Sequence, residues 1–247
     1  MFSLVSITVL FTTELLAARR AAQIRNAPET LIALYDVPAL SLDEARARMT
    51  EHPDDPVSSL ALARAQLEAS DDAAARRTIT QGLITAPDVA RYEMTAAALA
   101  TQIMRNDVAF LVYSDVLART VGTDAYPAVR AIAGEYLYRA ASVSDQLRVA
   151  QVLELSRELQ NTTSPIVTAM IGRAFMENGN TRLAQATIGS ALTADDSLAE
   201  AHLVNGELQH QQKNDERARA EWERARSAPD APGWVRDRAT ELMNTLT

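Results

Sequence analysis

The chain has 247 residues, 47% hydrophobic but only 5% aromatic, with eight glycines and nine prolines. Such sparse turn chemistry disfavours an all-β fold, and an apolar content carried largely by alanine and leucine favours closely packed helices. A formal net charge of -8 disfavours nucleic-acid binding, which needs clustered positive charge, and the lack of cysteine excludes disulfides, thiolate nucleophiles and cysteine-ligated metals.

The acidic excess is spread along the chain and reads as solvated helix faces. Lys213 is the single lysine; with arginine elsewhere and abundant alanine, it fits the coding bias of a GC-rich, bacterial genome.

Residues 1–27 form the first predicted element. Met1 to Thr13 carry no charge, Glu14 interrupts the apolar run, and Arg19 and Arg20 follow it. A secretory leader wants a basic start and a small-residue cleavage site, and neither is clear. A membrane span needs about 20 apolar residues, more than this run offers. The expected reading is a packing helix covered by its neighbours or by a partner, with a membrane-proximal anchor as the alternative. An anchor flanked by Arg19 and Arg20 would leave the bulk of the chain in the cytoplasm, so the expected location is cytoplasmic or membrane-associated. Residues 28–40, with Pro28 and Pro38, break the helical pattern and read as a linker.

From residue 41 to residue 230 the chain repeats itself. Gly172 matches Gly206 at an offset of 34, and Ala184/Ala218, Ile188/Trp222 and Ala191/Ala225 keep that offset. The turn at Asn178-Gly179-Asn180 matches the one at Gln212-Lys213-Asn214. Earlier, Pro53/Pro87, Ala63/Ala97, Ala75/Ala109 and Ile79/Tyr113 show the same spacing. Between the two pairs, 124–163 is longer and less regular; its first helix carries Val129, Ile132, Ala133 and Tyr136, and its second is expected near 144–159.

The pattern has a physical reading. Apolar residues at three- and four-residue steps make one stripe per helix. A small residue (Ala63, Ala97, Ala133, Gly172, Gly206) admits the partner helix, an alanine twelve positions on meets it in the regular units, and a larger side chain four further on fills the gap. Ser41/Glu44 and Ser197/Glu200 have capping-box spacing, Ser164-Pro165 reads as a helix start, and Asp71, Asp107 and Asn214 stand where second helices begin. Residues 231–247 close the chain as an amphipathic capping helix with Trp234, Val235, Ala239, Leu242 and Leu246 on one stripe.

This pattern resembles the tetratricopeptide repeat. The unit from Pro165 supplies Thr168, Ile171, Gly172, Phe175, Ala184, Ile188 and Ala191 at the signature positions; the unit from Ala199 supplies His202, Asn205, Gly206, Gln209, Ala218, Trp222 and Ala225. The repeat-closing proline survives as Pro53 and Pro87, with Asp196 and Asp230 in its place later. The resemblance implies an all-α, right-handed α-α superhelix of about five helix pairs with capping helices at its ends.

Catalytic signatures are missing. No phosphate-binding glycine loop, G-x-S-x-G elbow or H-E-x-x-H occurs. Glu207 and His210 share a helix face, but no further ligand converges with them or with His202, so no metal, no cofactor and no enzyme activity is expected.

What the resemblance implies is a protein-interaction scaffold or a structural subunit of a larger assembly, with first helices lining a concave groove. Its groove positions fall here on Leu60, Arg64 and Leu67; on Met94, Ala98 and Thr101; on Arg130, Gly134 and Leu137; on Ala169, Arg173 and Met176; and on Leu203, Glu207 and His210. The leucines and methionines would offer apolar contact. Arg64, Arg130 and Arg173 would either grip partner carboxylates or pair with local acidic residues. The family's lysine and asparagine clamp for chaperone tails is absent. Expected partners are proteins, not nucleic acid; membrane association through residues 1–20 and an oligomeric or multi-subunit state stay open.

Overall fold

A computed structural model gives the structure of residues 32–141 and 164–246. The expectations for residues 1–27 and for a helix near 144–159 lie outside these described residues. Among the described residues the chain is helical, with no strand. After an extended stretch at 32–40 come α1 (Leu42–Glu51), α2 (Pro56–Glu68), α3 (Asp72–Thr85), α4 (Val89–Gln102), α5 (Asn106–Thr120) and α6 (Tyr126–Ala140). Then follow α7 (Pro165–Glu177), α8 (Thr181–Ala194), α9 (Ala199–Gln211), α10 (Asp215–Ser227) and α11 (Gly233–Thr245).

Side chains fix most helix starts. Ser41 accepts from the Glu44 amide while the Glu44 carboxylate accepts from the Ser41 amide, so the first capping box forms. Asp55, Asp71, Asp88, Ser164 and Asn180 cap α2, α3, α4, α7 and α8. Each such cap contributes about 1 kcal/mol. Three expected starts differ. The cap position of α5 is Arg105, two residues ahead of the expected Asp107, and Asn214 holds its place at α10 without a side-chain cap bond. The Ser197/Glu200 box does not form: α9 starts after Leu198, and Glu200 turns inward to an arginine.

The turns inside helix pairs are alike. At Ser70, Met104, Gly179 and Lys213 the backbone is left-handed, with φ of 61°, 63°, 76° and 64°. Each is followed by an amide that reaches back five residues, from Asp71 to Gln66, Arg105 to Ala100, Asn180 to Phe175 and Asn214 to Gln209. This double closure satisfies helix-end carbonyls and forces the second helix back along the first. Only one of the four sites uses glycine. The turns recur at 34 residues within each half, 70 to 104 and 179 to 213.

Within pairs, α2/α3, α4/α5, α7/α8 and α9/α10 pack along their lengths. The small residues stand where close approach demands them. A Cβ on Gly172 would lie 2.6 Å from Ile188 Cγ1, and one on Gly206 would run into the Trp222 indole. Gly172 and Gly206 are therefore equivalent places. Ala63, Ala97 and Ala133 are buried at the corresponding sites of earlier helices.

First helices also touch one another, α2 with α4, α6 with α7 and α7 with α9. They make an inner layer, and the second helices lie outside it. α11 packs on α10 as the sequence requires of a cap, but it also touches α9 and reaches back to α6.

Candidate partner-binding inner face

The inner layer is where groove residues were expected, and it is already covered. Leu60, Leu67, Met94, Leu137, Met176 and Leu203 are at most 4% exposed. In this arrangement none of the six is free to touch a partner. The reason is that first helices are apolar beyond one stripe: α7 buries Ile166, Val167, Ala169, Met170, Ile171 and Ala174 around its circumference. Arg64, Ala98 and Thr101 are half-buried and His210 is exposed.

Among the described residues, two segments of the chain itself lie over this layer. The first is the stretch 32–40, expected as a linker and found as an extended strap over α2 and α4. Val37 is buried, and Ile32, Tyr35 and Leu40 pack against the core. Arg64 Nη1 donates to the Val37 carbonyl at 3.1 Å, and the Tyr35 amide donates to Thr95 Oγ1 at 3.1 Å. Arg91 Nη2 donates to the Leu34 carbonyl at 3.4 Å, with its guanidinium 4.0 Å above the Tyr35 ring. Arg64 thus binds a peptide, and the peptide is its own.

The second cover is α11. Trp234 sits 5.2 Å from the Tyr138 ring, above Gly134, where a Cβ would touch the indole at 3.5 Å. Beneath it run two groups of buried charges. Arg130 on α6 clasps Glu200 on α9 with two bonds of 2.7 and 2.6 Å and reaches Asp230 at 2.5 Å. Arg173 on α7 bonds Glu207 on α9 at 2.8 Å and the Tyr138 carbonyl at 2.8 Å, and also pairs with Glu177 on its own helix. The Tyr138 hydroxyl donates to Glu207 and accepts from Arg238 of α11. Burial works to strip the proton from Arg130, and the charges of Glu200 and Asp230 more than offset it, leaving its pKa above the ordinary value. Arg130, Arg173 and Glu207 do lie on the inner face, but Arg130 is held by Glu200 and Asp230, and Arg173 by Glu207, across repeats.

Sequence reading missed Arg91, Thr95, Tyr35 and Val37, and the inward role of Glu200, Tyr138 and Arg238. The alternation apolar, charged, apolar in Tyr35-Asp36-Val37 ahead of Pro38 was the available signal for an extended segment seated on a surface, and burial follows it, half-buried, exposed, buried.

Two ionisable groups lie away from the inner face. His202, paired Nδ1 to Glu221 at 2.6 Å and Nε2 to the Asp196 carbonyl at 2.8 Å, faces acceptors on both sides. Keeping both bonds takes a proton on each nitrogen, and the bond to Glu221 raises the imidazole pKa. Glu93 is buried beside Arg119, and burial pushes it up to about 7, against the opposing pull of Arg119. Both pKa values lie above their unfolded values, so each contribution is present at low pH and lost as pH rises through the folded value. Folding stability is expected to fall by on the order of 1–3 kcal/mol between about pH 5.5 and pH 8.5 in urea titrations. Glu93→Gln should flatten the slope around pH 7; an unchanged slope would show that Glu93 does not titrate there. Among the described residues no group of three or more His, Asp or Glu side chains could hold a metal ion.

No family model and no curated protein matches the chain. Among solved structures, a tetratricopeptide repeat protein from Parabacteroides merdae is similar at 16% identity over 92% of this chain and 78% of that one, with a TM-score of 0.39. The Cut9–Hcn1 hetero-tetramer of the APC/C is similar at 13% identity over 91% of this chain and 47% of that one, with a TM-score of 0.34. This chain therefore spans about half the length of the latter. The repeat architecture rests on the chain's own geometry, the left-handed turns 34 residues apart and the equivalent seats of Gly172 and Gly206. The fold is a tetratricopeptide-like α-solenoid. Among the described residues of this solenoid, no helix is long and apolar enough to cross a membrane.

Proposed function

We propose that the chain is a non-catalytic protein-interaction scaffold, or a structural subunit of a larger assembly, that holds a partner segment on its inner face. The observation that carries this reading is that the inner face already holds two chain segments of different kinds. One is extended and read through main-chain bonds by Arg64, Arg91 and Thr95. The other is a helix seated through Trp234 and Arg238. A layer that seats both an extended strap and a helix within one chain has the chemistry to seat either from another protein. Arg64, Ala98, Thr101 and His210 are the expected groove residues that reach the surface.

The test is positional capture in the native host. A photoreactive residue replacing Thr101 on the inner layer should trap a protein that mass spectrometry identifies, and one replacing Gln185, exposed on α8, should not. Adducts of the same partner from Gln185 alone would place binding on the outer face and sink the groove reading.

A further inference from the structure

We propose that the strap at 32–40 is a built-in placeholder, occupying a site on α2 and α4 that an extended partner segment of the pattern aromatic, any residue, β-branched aliphatic takes by displacing it. The proposal rests on the inner face being the binding face, and it names the ligand and what competes with it.

The strap's own bonds define the ligand. Its hydrogen bonds with the solenoid are made by main-chain groups: the Leu34 carbonyl, the Tyr35 amide and the Val37 carbonyl. Main-chain bonds do not depend on sequence, so any extended segment offers them. Sequence enters at two places. Val37 is buried in the core cluster, and the Tyr35 ring lies under the Arg91 guanidinium. Between them Asp36 is exposed, as are Ala33, Leu34 and Ala39. The site thus reads alternate side chains, one aromatic and one compact aliphatic, with a solvent-facing residue between.

Three observations make the strap displaceable. Among the described residues, 32–40 form no backbone-to-backbone hydrogen bond, so the strap belongs to no helix or sheet whose loss its departure would propagate. Its junction with the array is Ser41, which caps α1 through its own side chain and the Glu44 carboxylate; the cap survives if the strap swings away. And the fit is incomplete: Arg91 Nε is buried with no hydrogen-bond partner while the strap is in place. A segment that offers Nε an acceptor as well satisfies a donor that the strap leaves bare.

A resident competitor lowers the apparent affinity of any outside segment by the fraction of chains in which the site is vacant. The full-length chain carrying Tyr35→Ala and Val37→Asp together has the strap weakened at both reading positions. The probe is a fluorescent synthetic peptide of the strap sequence, from Ile32 to Ser41. Anisotropy should show it binding the weakened chain at least about tenfold more tightly than the unaltered chain. Adding Arg64→Ala and Arg91→Ala to the weakened chain should remove at least about tenfold of that affinity. Equal binding by a scrambled peptide, or no binding to a weakened chain whose circular dichroism is intact, overturns the proposal. Should the weakened chain unfold, amide exchange in the unaltered chain decides. The Tyr35 amide should exchange at least about 100-fold faster than that of Leu99 in α4, because local opening suffices to release it. Equal rates would make the strap a permanent part of the core and overturn the proposal. Either failure leaves the Thr101 capture result untouched, so the loss of the placeholder is distinguishable from the loss of the scaffold reading.

Discussion

Trp222→Ala is expected to lower the unfolding free energy by about 3–5 kcal/mol, the range for truncating a large aromatic in a packed core. Trp222 is fully buried between α9 and α10, and its Nε1 donates to the Leu203 carbonyl at 3.2 Å. The indole lies where a side chain at position 206 would be, so glycine and tryptophan together fill one slot. The walls of that slot cannot close in. α9 and α10 are held apart by the Lys213 turn and its amide bonds at 2.8 and 2.9 Å, which fix the hairpin angle. The cavity therefore stays largely open, the case in which truncation costs most. Urea denaturation followed by circular dichroism measures the loss, and a value under about 1 kcal/mol would mean that the hairpin repacks.

Glu200→Ala is expected to cost a similar amount, about 3–5 kcal/mol, for a different reason. Glu200 is fully buried and holds the Arg130 guanidinium with two bonds. Its removal strands most of a buried positive charge, and the remaining partner, Asp230, is 61% exposed and weakly placed to compensate. Asp230→Ala, by contrast, should cost about 1 kcal/mol or less, since its carboxylate is largely solvated. Converting both members at once, Arg130→Met with Glu200→Leu, should recover most of the loss, because no charge is then left buried. A double-mutant cycle separates the cases. If Glu200→Ala and Asp230→Ala cost the same, the buried clasp is not what holds α6 to α9.

Much of the array was legible because its causes are local and periodic. Gly172, Gly206 and their alanine counterparts recur because backbone approach tolerates only small residues there, and Ile188 and Trp222 recur because something must fill the opposite gap. Neither depends on distant sequence. The inner face was illegible for the converse reason. Ser197 and Glu200 have capping-box spacing, yet Glu200 is claimed by Arg130, 70 residues away, which no local pattern displays. Arg173 was readable as a free guanidinium for a partner, and Glu207, 34 residues on, takes it. Leu60, Met94 and Leu203 were expected as groove residues, but the segments that lie over the inner layer come from outside the repeats, where the period says nothing. Pro38 marks the strap correctly as non-helical; it does not say that the strap is seated.

The ion pairs of Arg130 bear on how the solenoid comes apart. In an ideal solenoid each unit senses only its neighbours, and the chain frays like a one-dimensional lattice from either end. Arg130 ties its helix to residues 70 and 100 positions on, and α11 rests on that same helix. The tie turns the C-terminal half into a ring closed through its own interior. That half should melt as one block, whereas the N-terminal hairpins, tied over such distances by the strap's hydrogen bonds but by no buried ion pair of that span among the described residues, keep the graded unzipping of a linear array once the strap lets go.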